Sequence, residues 1–259
     1  MIDVTKPESY PDELSRIVLS HIKTISDQEM IQIKHARIKS EKDVMIAIEG
    51  FLGISAAYNM YKNELIPAFN QHELLCYHAT RVDCIESITR NGIFSDMGKY
   101  RKFIASFMKT EGLDDEVIHD AMDLILKEYE RKYYGKPHQI CFFVNYTSLY
   151  DKEGYAAYDQ FYETVGGELA HWALENKLPT VLSVLQEKGI PVVIKFKIPF
   201  SKVAEYHKDS LIFPFVCSIA AKHIWGYNYA IEADSSFIGE VPPCDIIEVI
   251  KVDKRITIL

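Results

Sequence analysis

Apolar residues recur at three- and four-residue intervals in the first quarter of the chain, and this period predicts helices. Examples are Leu19 and Ile22, and later Val44, Ile48 and Leu52. Few strand-like alternations interrupt the pattern between residues 11 and 69. Breakers at Pro67 and Asn70 end it. We therefore predict a helical N-terminal region over residues 1–72.

A different pattern begins directly afterwards. Residues 76–80 predict a buried strand that carries His78 and Thr80. The strand leads into a short amphipathic helix with Cys84, Ile85 and Ile88 on one face. Asn91-Gly92 closes that helix as a left-handed cap. A polar strand end joined to a helix is a place where a ligand can be held.

The rest of the chain predicts a second helical stretch and then mainly strands. Residues 99–134 have helical spacing and many charges, which we interpret as a solvated face. Strands are predicted at 139–145, 191–199, 213–220, 227–233 and 245–252, with helices at 155–164 and 178–188. This order predicts an α+β fold with a mixed or antiparallel sheet. We expect residues 73–259 to form one domain with 99–134 as a helical insertion.

Composition narrows the range of functions. With 48% apolar and 12% aromatic residues, the chain can form a substantial core. A net charge of -8 does not favour nucleic acid as a partner, although it does not exclude it. The five cysteines form no close pair, so we expect neither disulfides nor a zinc site, and no metal. No signal-peptide pattern or membrane span is evident, which favours a cytoplasmic location.

The segment Cys76-Tyr77-His78-Ala79-Thr80-Arg81 resembles the opening strand of the ADP-ribosyltransferase superfamily, which has a His-Gly-Thr/Ser element followed by an Ile and a Gly-Ile or Gly-Leu pair. Ile88 and Gly92-Ile93 complete the likeness, whereas Ala79 stands where the family usually has Gly. The resemblance implies that His78, Ala79, Thr80 and Arg81 bind NAD. It also implies a split sheet of that superfamily's kind. The chain has neither a dinucleotide-binding glycine fingerprint nor a P-loop, so NAD would have to bind through such a fold.

A second resemblance lies around residues 140–158. In the family, a strand with an aromatic residue leads through a Ser-containing turn into a helix that bears a Tyr, and the aromatic rings enclose nicotinamide. Here the strand aromatic would be Phe142 or Phe143, the turn residue Ser148, and the helix aromatic Tyr155 or Tyr158. An aromatic face attracts the cationic pyridinium ring and holds neutral nicotinamide less strongly.

The third element is a carboxylate. Cleavage of the glycosidic bond of NAD passes through an oxocarbenium-like centre, which an adjacent carboxylate stabilises. Two glutamates are candidates. Glu232 precedes a hydrophobic strand by a short polar segment, as the catalytic Glu of the family does, and we favour it on that spacing. Glu168 follows Gly166-Gly167, where the backbone can approach a ligand closely, but it comes earlier than the family order.

Taken together, the resemblance implies a mono-ADP-ribosyltransferase of the His-Tyr-Glu toxin or effector type. Such an enzyme moves ADP-ribose from NAD to a macromolecular acceptor, here expected to be a protein, and releases nicotinamide. Two alternatives stay open: an NAD glycohydrolase, in which water is the acceptor, and a non-catalytic module that binds NAD or a protein. Delivery into another cell would need no recognisable signal peptide.

Overall fold

In the computed structural model of the protein, the structure describes residues 1–35, 41–134, 139–145, 164–226 and 233–252. Within these described ranges, five helices precede the first strand, in the region where the sequence predicts helices. They are α1 (Asp12–Ile22), α2 (Asp27–His35), α3 (Glu41–Leu52), α4 (Ile54–Asn59) and α5 (Ile66–Phe69), with a π-helical segment at Met60–Leu65. Short 3-10 helices occur at Pro7–Ser9, Phe200–Lys202 and Pro243–Asp245.

The strand and helix predicted around His78 are present. They are β1 (Glu73–Val82) and α6 (Ile85–Asn91), and Gly92 follows with a positive φ of 73°. The charged stretch forms two helices, α7 (Met97–Thr110) and α8 (Asp115–Tyr133). The remaining elements are β2 (Gln139–Phe143), α9 (Gly167–Leu174), α10 (Pro179–Glu187), β3 (Ile190–Pro199), α11 (Glu205–Trp225), β4 (Asp234–Ile238) and β5 (Ile246–Lys251).

The five strands form one antiparallel sheet in the order β4-β2-β1-β3-β5, so the fold class is α+β. The first strand, β1, is central and buried over most of its length, which agrees with the apolar run at residues 74–77 in its first half. At one edge β3 pairs with β5, with Val192 opposite Lys251, and a bulge interrupts the register at Lys195/Phe196.

One predicted strand is wrong. Residues 213–220 lie inside α11, a helix of 21 residues that is buried on most of its circumference. A helix enclosed by other helices is apolar on all sides, so its sequence lacks the amphipathic period. A short apolar run of this kind cannot be assigned from periodicity alone. The strand predicted at 227–233 and the helix predicted at 155–164 fall almost wholly outside the described residues.

The chain divides into two compact units. The first contains Met1–Cys76 and Ile198–Ser236 together with a short segment that begins at Phe143. Its core includes a cluster of aromatic rings. The ring of Phe215 in α11 lies 4.4 Å from that of Tyr10 and 4.7 Å from that of Phe69, centroid to centroid. Burial raises the pKa of Tyr10 to about 12, and its hydroxyl donates to the carbonyl of Val4 at 2.7 Å.

The second unit contains the other end of β1, helices α6–α10 and β5. Its helical core joins α7, α8, α9 and α10 around fully buried side chains such as Ile104, Ile125 and Leu185. Within the parts of the chain that the structure describes, no helix has the length and apolar character needed to cross a membrane.

We expect Phe215→Ala to lower the free energy of unfolding by about 3–5 kcal/mol, because truncating a fully buried aromatic side chain leaves a cavity. Tyr206→Ala on the same helix is the matched control. Tyr206 is 67% exposed, so its loss should change stability by about 0.5 kcal/mol or less. Urea unfolding of both variants checks this. Equal losses would mean that Phe215 is not part of a packed core.

Candidate functional site

A cavity of about 160 Å³ lies within the second unit. Its walls come from β1, α6, α7, α8, β2 and the start of α9. The polar and aromatic groups of its lining include His78, Thr80, Arg81, Tyr100, Lys132, Tyr133 and Glu168. Four of the side chains predicted from the sequence to act on NAD are therefore at one cavity, and the small Ala79 lines it too.

His78 has a defined orientation at this cavity. Its Nδ1 lies 2.8 Å from the carbonyl oxygen of Cys141 in the adjacent strand β2. A carbonyl can only accept a hydrogen bond, so Nδ1 carries the proton. In the neutral ring Nε2 is then an acceptor, which suits it to receive a hydrogen bond from a hydroxyl group.

Arg81 is 2% exposed, and the structure gives it a structural role. Its Nη1 donates to the carbonyls of Lys188 (3.1 Å) and Gly189 (2.9 Å), in the turn that leads into β3. Gly189 has a φ of 77°, and a Cβ there would lie 2.7 Å from the carbonyl oxygen of Val82. These contacts hold the guanidinium group against the backbone at the cavity wall.

Glu168 reaches the cavity through a glycine turn. Gly166, at a φ of 87°, is the N-cap of α9, and Glu168 lies in the first turn of that helix. A carboxylate is favourable near a helix N-terminus. The hydroxyl of Tyr100 donates to the carbonyl of Gly166 at 2.7 Å, and burial raises the pKa of Tyr100, which keeps this donor protonated.

Lys132, from the last turn of α8, contacts Glu168. Its Nζ lies 2.9 Å from Oε1 of the carboxylate, and both side chains are largely buried, at 26% and 16% exposed. The same ammonium group lies 4.6 Å from the ring centroid of Trp172, one helical turn after Glu168. Lys132 is an exception to the interpretation of residues 99–134 as a solvated face.

Among the described residues, the aromatic side chains that line the cavity are not ones that the sequence predicts there. Tyr100, Tyr133, Phe94 and Phe103 line it. Phe143 is buried and does not line it, while Ser148, Tyr155, Tyr158 and Glu232 lie outside the described residues. Neither Tyr100 nor Tyr133 belongs to a recognisable motif, and only the packing of α7 and α8 brings them to the cavity.

A second, larger groove of about 680 Å³ adjoins the first and shares Asn91, Phe94 and Phe103 with it. Lys99 and Lys102 of α7 also line the groove. Lys99 is paired with Glu240 at 2.8 Å. The two spaces together form a small cavity that adjoins a wider groove, which is lined by the basic Lys99 and Lys102 and by the acidic Asp83 and Glu111.

Metal binding has no structural support in the described parts of the chain. There, no group of three or more His, Cys, Asp or Glu residues is arranged to hold an ion. Comparison with protein-family models, with curated proteins and with solved structures finds no match to this chain. Function must therefore be argued from the residues of the cavity.

The turn at Gly166 can be tested by substitution. A Cβ at Gly166 would lie 2.5 Å from Cδ1 of Ile104 and 2.7 Å from the hydroxyl of Tyr100. We expect Gly166→Ala to cost roughly 3 kcal/mol of stability, from left-handed backbone strain of about 1–2 and overpacking of about 1–3. Gly112→Ala is the control: its φ is 84°, but a Cβ there meets nothing within 4 Å.

Thermal and urea unfolding of both variants measure the difference. The control should lose about 1–2 kcal/mol from backbone strain alone. If Gly166→Ala were no less stable than Gly112→Ala, the close packing of this turn against α7 would be refuted.

Proposed function

We propose that this protein is an NAD-dependent mono-ADP-ribosyltransferase with a fold of that superfamily. It transfers ADP-ribose from NAD to a macromolecular acceptor and releases nicotinamide. The observation that carries the proposal is that His78 and Glu168, which are far apart in the sequence, line one cavity together with Thr80 and Tyr133. Together, the imidazole of His78, the aromatic ring of Tyr133 and the carboxylate of Glu168 suit recognition and cleavage of a nicotinamide riboside.

His78 and its neighbours bind the ribose and the carboxamide in this proposal. The Nε2 atom of His78 accepts a hydrogen bond from a ribose hydroxyl, because its Nδ1 donates to Cys141. The backbone of Ala79 pairs with the carboxamide of nicotinamide. Ala79 is 2% exposed and carries only a methyl group, so it restricts the cavity little more than the glycine that the family usually has.

Glu168 is the carboxylate that stabilises the transition state. As the bond between C1 of the ribose and N1 of nicotinamide breaks, the bonding electrons leave with nicotinamide, which becomes neutral. Positive charge develops on the ribosyl group, and an anion beside it lowers the barrier. The acceptor then forms the new bond to C1 and loses its proton. The spacing in the sequence favours Glu232, which lies outside the described residues, whereas the position of Glu168 at the cavity supports Glu168.

An aromatic ring should enclose the nicotinamide. Tyr133 is now a candidate beside Phe143, Tyr155 and Tyr158, because it lines the cavity. Its ring also lies 5.1 Å from that of Tyr129, which helps to hold it in place. Stacking on a cationic pyridinium favours bound NAD over the neutral product and so assists product release.

The size of the cavity agrees with binding of only part of NAD. Pockets that enclose a whole drug-sized ligand measure about 300–1,000 Å³, so a space of about 160 Å³ suits the nicotinamide end. The adjoining groove is large enough for the remainder, and Lys102 can face its phosphates. Acidic net charge favours a protein acceptor over nucleic acid. A cytoplasmic site of action and a toxin or effector role belong to the proposal.

Incubation with NAD labelled in the adenosine half tests the reaction class. The proposal expects nicotinamide release together with covalent label on proteins of a lysate. Free ADP-ribose without labelled protein would instead identify an NAD glycohydrolase. Binding of NAD with no release of nicotinamide over hours would identify a non-catalytic module and refute the proposal.

We expect Glu168→Gln to lower the rate of nicotinamide release by about a hundredfold or more with little change in NAD affinity, because the lost charge acts mainly in the transition state. Glu175→Gln is the matched control. Glu175 follows α9, is 53% exposed and does not line the cavity. Single-turnover assays on folded protein check this. If Glu168→Gln were nearly as active as wild type and Glu232→Gln were inactive, Glu232 would be the carboxylate that stabilises the transition state.

For His78→Ala we expect weaker binding. A neutral hydrogen bond to a ribose hydroxyl contributes about 1 kcal/mol, so KM for NAD should rise about fivefold. The control is His119→Ala, because His119 on α8 is 76% exposed. Steady-state kinetics and calorimetry with an unreactive NAD analogue measure the change. Unaltered affinity and turnover in the His78 variant would show that His78 does not bind NAD.

A further inference from the structure

We propose that Lys132 is a positioning residue that holds the Glu168 carboxylate in its reactive orientation. This inference rests on the proposed function and extends it to a residue of the helical insertion. The juxtaposition that carries it is a single ammonium group in contact with both Glu168 and Trp172 on the same face of α9.

The geometry of α9 explains the arrangement. Glu168 and Trp172 are four residues apart, so their side chains lie on the same face of the helix. The Lys132 ammonium lies 2.9 Å from Oε1 of Glu168 and 4.6 Å from the indole centroid. A cation over an aromatic face is attracted to it, and the attraction grows as water is excluded. Trp172 therefore fixes the ammonium group, and the ammonium group fixes the carboxylate.

The contact with Lys132 engages one carboxylate oxygen of Glu168 and leaves the other for catalysis. Lys132 occupies Oε1, and no side chain in the described parts of the protein is hydrogen-bonded to Oε2. Glu168 has several rotatable bonds, and without a partner its carboxylate would sample many directions. Holding one oxygen restricts the other to a narrow region at the cavity, which reduces the ordering needed when the transition state forms.

Lys132 and Glu168 come from two different helices. Lys132 belongs to α8, whereas Glu168 lies in the first turn of α9, and these helices pack in the core of the second unit. The Tyr133 ring centroid is 5.7 Å from the same ammonium group, so the end of α8 presents a cation and an aromatic ring at one place. The helical insertion thereby contributes directly to the site.

Lys132→Met tests the proposal, because methionine keeps an unbranched apolar side chain but removes the charge. We expect kcat for nicotinamide release to fall about ten- to a hundredfold while KM for NAD changes little, since a displaced catalytic group affects the transition state more than the bound substrate. Lys132→Arg should restore most of kcat, because guanidinium can pair with the carboxylate and stack on Trp172. Lys127→Met, on an exposed position of the same helix, is the matched control and should behave as wild type.

Thermal unfolding of every variant separates positioning from loss of folding. A purely structural lysine would give lower stability with unchanged kcat in the folded fraction, and that result overturns the inference. A faster Lys132→Met enzyme also overturns it, because the ammonium group would then block the carboxylate. If wild-type protein releases no nicotinamide from NAD, the proposed function itself fails, and this outcome is recognised before any variant is compared.

Discussion

The left-handed conformation of Gly166 is the constraint on which the candidate site depends. It turns the chain from Val165 into α9 while its missing Cβ leaves room for Ile104 and for the Tyr100 hydroxyl. The Tyr100 hydrogen bond to the Gly166 carbonyl ties this turn to α7. Because Glu168 is only two residues further on, the packing of this turn fixes the backbone position from which the Glu168 side chain extends to the cavity.

The helical core of the second unit and the sheet supply different kinds of group to the cavity. The sheet provides His78, whose tautomer is set by pairing with the backbone of β2, and it provides the small Ala79. The helices provide the charged and aromatic groups Glu168, Lys132 and Tyr133. A rigid strand is suited to hold a ligand in register, whereas helix ends can bring long side chains to one point. The chemistry proposed here needs both.

The charged side chains at the cavity have close partners. Lys132 and Glu168 form a largely buried pair, and Arg81 donates to two backbone carbonyls beside the same space. Removing one member of a buried pair leaves the other charge uncompensated, so such groups are interdependent. This interdependence explains why a positioning lysine and a catalytic glutamate should be tested together, with folding measured for each variant.

The sequence by itself determined the N-terminal helices, the strand and helix around His78, and the α+β class, because periodicity and turn residues act locally. It also marked His78 and Glu168 as candidates. Tertiary structure decided that residues 213–220 are helical, since a helix buried by α1 and α3 needs no polar face. It also decided that Lys132 and Tyr133 lie at the same cavity as Glu168, because the packing of α8 and α9 brings them together. No local sequence pattern predicts that proximity.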